Sequence, residues 1–213
     1  MEPERPSRHI GFYQLLDAMR QPGCPICRLA GWASHRWLES VFYGHVNDAG
    51  IREELRRAAG FCSGHTEQVL RLGNPLGGSI IYADVLRHVS DHLAQRPPAA
   101  CPCCMTEATA VSNAVATLLE HIEEEDVRAA YEAGEGLCLP HLRLALAPRT
   151  SRGRGFLEEH ERGRLRALAE ECESLVGKSD YEHIGCELGP ERNAWRRAAH
   201  KLAGATTSPR GDR

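Results

Sequence analysis

Apolar residues recur at three- and four-residue intervals along most of the chain, and strand-like alternation is nearly absent. In CRLAGWASHRWLESVFYGHV the residues Leu29, Trp32, Ala33, Trp37 and Val41 fall on one stripe. In VNDAGIREELRRAAG the stripe is Ile51, Leu55 and Ala58, with Asp48 placed to cap the helix and Gly60 to stop it. The same periodicity predicts helices over 79–95, 107–123, 126–133, 139–146, 156–176 and 190–202, broken at LGNPLGGS, QRPPAA and APRTSRGRG. The fold class read from this pattern is all-α, with residues 1–9 and 205–213 as disordered ends.

The pattern repeats itself. GFCSGH at Gly60 to His65 returns as GLCLPH at Gly136 to His141. Without gaps, His45 to His65 aligns with His121 to His141, pairing Val46 with Ile122, Asp48 with Glu124, Ile51 with Val127 and Arg52 with Arg128. One single-residue gap upstream brings CPIC (Cys24 to Cys27) onto CPCC (Cys101 to Cys104). Each half therefore reads C-P-x-C, helix, short helix, G-Φ-C-x-x-H, which points to duplication of a helical unit of about 45 residues. The domain reading that follows is a first module over 10–95, a second over 96–148, and C-terminal helices over 149–204 packing on both.

Two thiolates separated by two residues chelate one ion, and a Cys-x-x-His knuckle completes a tetrahedron. Closing each half on itself gives one set of Cys24, Cys27, Cys62 and His65 and a second of Cys101, Cys104, Cys138 and His141. Cys103 competes with Cys104, because the ungapped alignment sets it opposite Cys27. Structural Zn2+, two per chain, is the reading that suits two Cys3His sets of common spacing. An iron-sulfur cluster is the alternative, and thiol redox chemistry a further one, although no βαβ pattern accompanies the C-x-x-C pairs. Covalent haem is excluded, since Arg28 and Met105 stand where C-x-x-C-H needs histidine.

CPxC, VND…R, GFCxxH, a second CPxC, GLCxxHL and the closing NAWRRAAHKLAG together resemble an uncharacterised bacterial family of unknown function. The resemblance runs from about Gln14 to Gly204. It implies a domain extent and no chemistry.

Other groups carry weaker signals. Asp84, His88 and His92 recur every four residues, so a helix would align them as a third, more open metal site able to support hydrolysis; a solvated polar face is the preferred reading. His45 and His121 suit second-sphere or turn-capping roles. The acidic run Glu120, Glu123, Glu124, Glu125 and Asp126 reads as favourable charge at a helix start. Seven arginines between Arg143 and Arg166 read as a charge-paired helix and loop, and His183, Cys186 and Cys172 as a weak metal candidate.

Composition narrows the function. The formal net charge is −3, which gives no global attraction to polyanions, and there are nine cysteines, an odd number gathered in pairs, which argues against a disulfide framework. No run is apolar for the roughly 20 residues of a membrane span, and MEPERPSRHI lacks a signal-peptide core. The sequence thus describes a cytoplasmic, non-enzymatic zinc protein whose assembled surface binds a macromolecular partner, protein in preference to nucleic acid, with no membrane role; nothing fixes its oligomeric state.

Overall fold

The computed structural model describes residues 8–95, 99–148, 153–178 and 188–205. Among these the chain forms ten α-helices and a short 3-10 turn, Pro190–Asn193, with no strand, so the all-α reading holds. The helices are α1 (Ile10–Met19), α2 (Pro25–Gly44), α3 (Ala49–Arg57), α4 (Ser63–Leu72), α5 (Pro75–Asp91), α6 (Pro102–His121), α7 (Glu125–Ala133), α8 (Leu139–Leu146), α9 (Arg154–Lys178) and α10 (Ala194–Ala203). No helix among the described residues is long and apolar enough to cross a membrane.

Local chemistry accounts for the boundaries. Asp48 caps α3 by accepting the Ile51 N–H at 2.9 Å. The start of α5 differs from the expected Ser79: Asn74 accepts the Gly77 N–H at 2.9 Å and Pro75 takes the first turn, so the helix absorbs two glycines that look like a break. Asn74 also donates its side-chain amide to Phe42 O at 2.9 Å, tying that turn to the end of α2. Helices α1 and α4, absent from the predicted set, are short elements whose apolar stripes are too brief to stand out. The expectation of disorder over residues 1–9 is corrected at its end: His9 caps α1, and Arg8 bridges Glu124 at 2.6 Å and Asp126 at 2.9 Å while lying over the Phe12 ring. Residues 1–7 and 206–213 lie outside the described residues.

Contacts divide the chain into two compact units, and the division is not the consecutive one predicted at residue 95. One unit joins the stretch ending at Leu29 to residues 113–205; the other is the continuous stretch 30–112. In the continuous unit, Leu38, Val41 and Phe42 of α2 pack with Leu55, Val69, Ile81 and Val85 from α3, α4 and α5, and with Cys101 and Cys103 at the start of α6. Helix α3 packs on α5, where Arg52 and Arg56 bind Asp84 at 3.0 and 2.7 Å. In the discontinuous unit, Phe12, Leu15, Leu118, Ile122, Val127, Tyr131 and Leu157 are fully buried. There α1 packs on α7, and α10 packs on α8 and α9.

Candidate metal centres

The two Cys-x-x-His knuckles are built alike. Cys62 and Cys138 are the N-cap residues of α4 and α8, with φ/ψ of −68°/166° and −70°/158°. Two residues earlier a glycine at positive φ, 96° at Gly60 and 70° at Gly136, turns the chain as its position predicts. The first helical turn then carries the ring back beside the sulfur, with Sγ to Nδ1 at 3.1 Å in both Cys62–His65 and Cys138–His141. The CPxC knuckles open α2 and α6 with proline at the first helical position. The carbonyls of Cys24 and Cys101 accept the N–H groups of Arg28 and Met105 at 3.2 and 3.3 Å, and the helical turn brings Cys27 and Cys104 to the same side.

The knuckles combine between the two halves of the chain rather than within each half. Cys24, Cys27, Cys138 and His141 make one group, and Cys62, His65, Cys101 and Cys104 the other; in each, the four donor atoms lie within 4.8 Å of one another. The closing of each half on itself, as read from the sequence, is therefore corrected. Helix α2 has 20 residues and rises about 30 Å, whereas the return helix α3 has 9 and covers about 14 Å, too short to bring Cys62 back to Cys24. The lengths of α6 and α7 are again 20 and 9 residues. Each group is complete inside one compact unit, the first in the discontinuous unit and the second in the continuous one.

In the first group Cys27 Sγ stands 3.7 Å from Cys138 Sγ, and His141 Nδ1 lies 3.5 Å from Cys24 Sγ and 3.4 Å from Cys27 Sγ. In the second, Cys62 and Cys104 sulfurs are 3.5 Å apart, and His65 Nδ1 lies 3.4 Å from Cys104 and 3.6 Å from Cys101. Around a tetrahedral ion with sulfur bonds of about 2.3 Å and nitrogen bonds of about 2.0 Å, sulfurs stand about 3.8 Å apart and sulfur and nitrogen about 3.5 Å. Both groups have the dimensions to hold one metal ion.

Proton sharing points the same way. Hydrogen bonds from Cys138 and Cys27 hold the Cys24 thiol far below its ordinary value, and the same contacts push Cys27 far above. Burial alone would lower His141, but hydrogen bonds to Cys138 and Cys24 lift it to about 9. In the second group burial raises Cys62, yet the backbone N–H of His65, together with Cys104 and the His65 ring, brings it below normal; burial and Cys62 push Cys104 up to about 12. In each group one thiol is pushed down and one neighbouring thiol, Cys27 or Cys104, is pushed up, a donor set in which a cation displaces protons.

The surroundings of the groups had little sequence signal. Behind His65, the carboxylate of Glu107 lies 3.0 Å from Nε2, the position of an orienting partner for a ligating imidazole; its spacing three residues beyond Cys104 on α6 was the available clue. The first group is buttressed from α9 and α10. Glu161, 1% exposed, accepts from Tyr131 OH at 2.5 Å and from the Leu137 N–H at 2.9 Å, and pairs with Lys201 at 2.5 Å. Arg164 donates to the carbonyls of Tyr131, Glu132 and Gly134 at the end of α7. Gly204, at φ 82°, passes over the sulfurs: a Cβ there would lie 3.6 Å from Cys138 Sγ and 3.7 Å from Cys27 Sγ.

The remaining candidates separate cleanly. Cys103 belongs to neither group; it is fully buried in the α2–α6 core, 3.9 Å from Ser34 O, with its thiol pushed up by burial. Asp84 is occupied by Arg52 and then Arg56, which hold its carboxyl below the usual range, while His88 and His92 stack at 4.4 Å with His92 Nδ1 on His88 O at 2.8 Å. His92 is already the C-cap of α5, at φ −126°, so the helical face expected to align all three residues ends before it, and among the described residues they form no donor group. His45 and His121 serve turns: their carbonyls accept the N–H groups of Asp48 and Glu124 at 3.0 and 2.9 Å. Glu125 and Asp126 occupy the first turn of α7. Arg149, Arg152, His183 and Cys186 lie outside the described residues.

Fold and donor groups together define a helical protein with two Cys3His groups able to hold metal ions. Residues 9–97 match the model of a Family of unknown function (DUF6062), so the expected likeness to an uncharacterised family is present, over a shorter stretch than Gln14 to Gly204. An uncharacterized 23.9 kDa protein in the xynA 3'region of Caldicellulosiruptor sp. (strain Rt8B.4) is 30% identical over 73 residues, which is 34% of this chain and 36% of that relative. The match thus spans about a third of the relative's length. No solved structure matches the chain.

Proposed function

We propose that this chain is a non-enzymatic zinc protein of the cytoplasm, in which two Cys3His sites fix helix geometry and the assembled surface binds a macromolecular partner. The observation that carries the reading is the spacing of the two donor groups, with sulfurs 3.7 and 3.5 Å apart and four donors within 4.8 Å in each. That spacing suits one tetrahedral ion per group; an iron-sulfur cluster, whose ligands bind separate irons, needs wider separation. Six of the nine cysteines fall in the two groups, which suits a reducing compartment. A net charge of −3 favours a protein partner over nucleic acid. The matching pairs of knuckle angles and hydrogen bonds support an origin by duplication.

In this reading Cys24, Cys27, Cys138 and His141 hold one ion and Cys62, His65, Cys101 and Cys104 the other, and the ion supplies folding free energy rather than catalysis. Elemental analysis with absorption spectroscopy of the purified full-length chain tests it. Two zinc per chain, no visible absorption and loss of helical circular dichroism on chelation are the predicted results. Iron with visible charge-transfer bands, or no stoichiometric metal, would overturn the reading.

A further inference from the structure

The two donor groups are unequal in one respect that bears on oxidation. Each contains a pair of sulfurs close enough to become a disulfide with little movement: Cys27 and Cys138 at 3.7 Å, and Cys62 and Cys104 at 3.5 Å. The first pair is shut away, at 6% and 1% exposure, with the backbone of Gly204 drawn across both sulfurs. In the second pair Cys62 opens to solvent as a residue, its contact with Cys104 is exposed, and Cys104 is half-buried. The remaining donors of that group, His65 and Cys101, are buried at 3% and 8%. The close sulfur pair is therefore open to solvent in one group and covered in the other.

We infer that Cys62 and Cys104 are a peroxide-sensitive pair through which the second group gives up its metal, while the first group keeps its own. The inference rests on the metal-binding reading of both groups. The Cys62 thiolate attacks one oxygen of a hydroperoxide, breaking the O–O bond; Cys62 becomes a sulfenic acid and hydroxide leaves. The Cys104 thiolate then attacks that sulfur, the S–O bond breaks, and a second hydroxide leaves as the S–S bond forms. Two electrons pass from the two sulfurs to the peroxide. The group is left with His65 and Cys101, half its donors, and the ion departs. In the first group Cys24 is only partly exposed and Cys27 and Cys138 are covered, so peroxide reaches the sulfurs of that group more slowly.

Because the continuous unit of residues 30–112 contains the whole second group, loss of its metal loosens that unit while the discontinuous unit retains its ion. The outcome is a graded response to peroxide, with one half of the protein released and the other held.

The test uses full-length protein first shown to carry two zinc. If that stoichiometry is missing, the metal reading fails before the inference is reached. The loaded protein is treated with hydrogen peroxide, zinc release is followed with a chromogenic chelator, and thiols are mapped by differential alkylation and mass spectrometry. The predicted result is release of one zinc per chain, roughly tenfold faster than the second, with a Cys62–Cys104 disulfide, and full rebinding after dithiothreitol. The variant Cys103→Ser, which alters a cysteine outside both groups, is predicted to release zinc at the wild-type rate. Simultaneous release of both ions, release from the first group before the second, slowed release in Cys103→Ser, or a disulfide that excludes Cys62 would each overturn the inference.

Discussion

Gly60 and Gly136 occupy the same place in the two knuckles and the same left-handed region, yet they face different neighbours. A Cβ at Gly60 would meet Val85 Cγ1 at 3.8 Å, ordinary contact, whereas a Cβ at Gly136 would overlap the buried Glu161 carboxylate. Gly60→Ala therefore costs about 1 kcal/mol of backbone strain. Gly136→Ala adds displacement of a buried, paired carboxylate and costs at least about 3 kcal/mol. Urea denaturation of the two zinc-loaded variants measures the difference, and equal losses would contradict the role given to Glu161. At this scale the sequence was legible where chemistry is local: the eight donors, the glycines before each knuckle and the Asp48 cap are all visible as motifs. Glu161 and Lys201 were not, because nothing in their own neighbourhoods marks a charge that will be buried against residue 137.

Helix lengths decided what motif matching could not. CPxC and CxxH suggest a hairpin closed at its open end, but a 20-residue helix followed by a 9-residue return leaves the two motifs far apart. The element lengths were available in the apolar periodicity; what misled was the preference for donors near in sequence. The break at LGNPLGGS is present at Gly73, but the helix after it starts earlier than the expected Ser79 for the opposite reason: the Asn74 cap overrides two unfavourable glycines, a local hydrogen bond outweighing propensity. Among the C-terminal elements, Glu191 of the 3-10 turn binds Lys178 at the end of α9 at 2.6 Å and accepts the Gly189 N–H at 2.9 Å. The lysine foremost, with backbone N–H groups, holds the Glu191 carboxyl at about 2, below its ordinary 4.5. A carboxyl depressed in the folded state stabilises it above pH 4.5 and loses that contribution as pH falls toward 2. Wild type is thus predicted to exceed Glu191→Gln in thermal stability at neutral pH, with the gap closing on acidification; a gap independent of pH would remove the ion pair from the account.

For the whole molecule, the pairing of the knuckles is not consecutive along the chain. Two consecutive hairpins, each with its own ion, would be separable modules. Instead the first knuckle of the chain waits for the last, so the discontinuous unit closes only after Cys138 and His141 are present, while the continuous unit contains its whole donor group within residues 30–112. The second-half donors at 101–104 thereby complete a unit begun by the first half, and the 9–97 family match ends just short of them.

Zinc content of two double variants tests this arrangement most directly. Cys24→Ser with Cys138→Ser removes two donors from one group and is predicted to leave one zinc per chain; Cys24→Ser with Cys62→Ser strikes both groups and is predicted to leave none. The reverse result, no zinc in the first variant and one in the second, would show that each half closes on itself and would contradict the account.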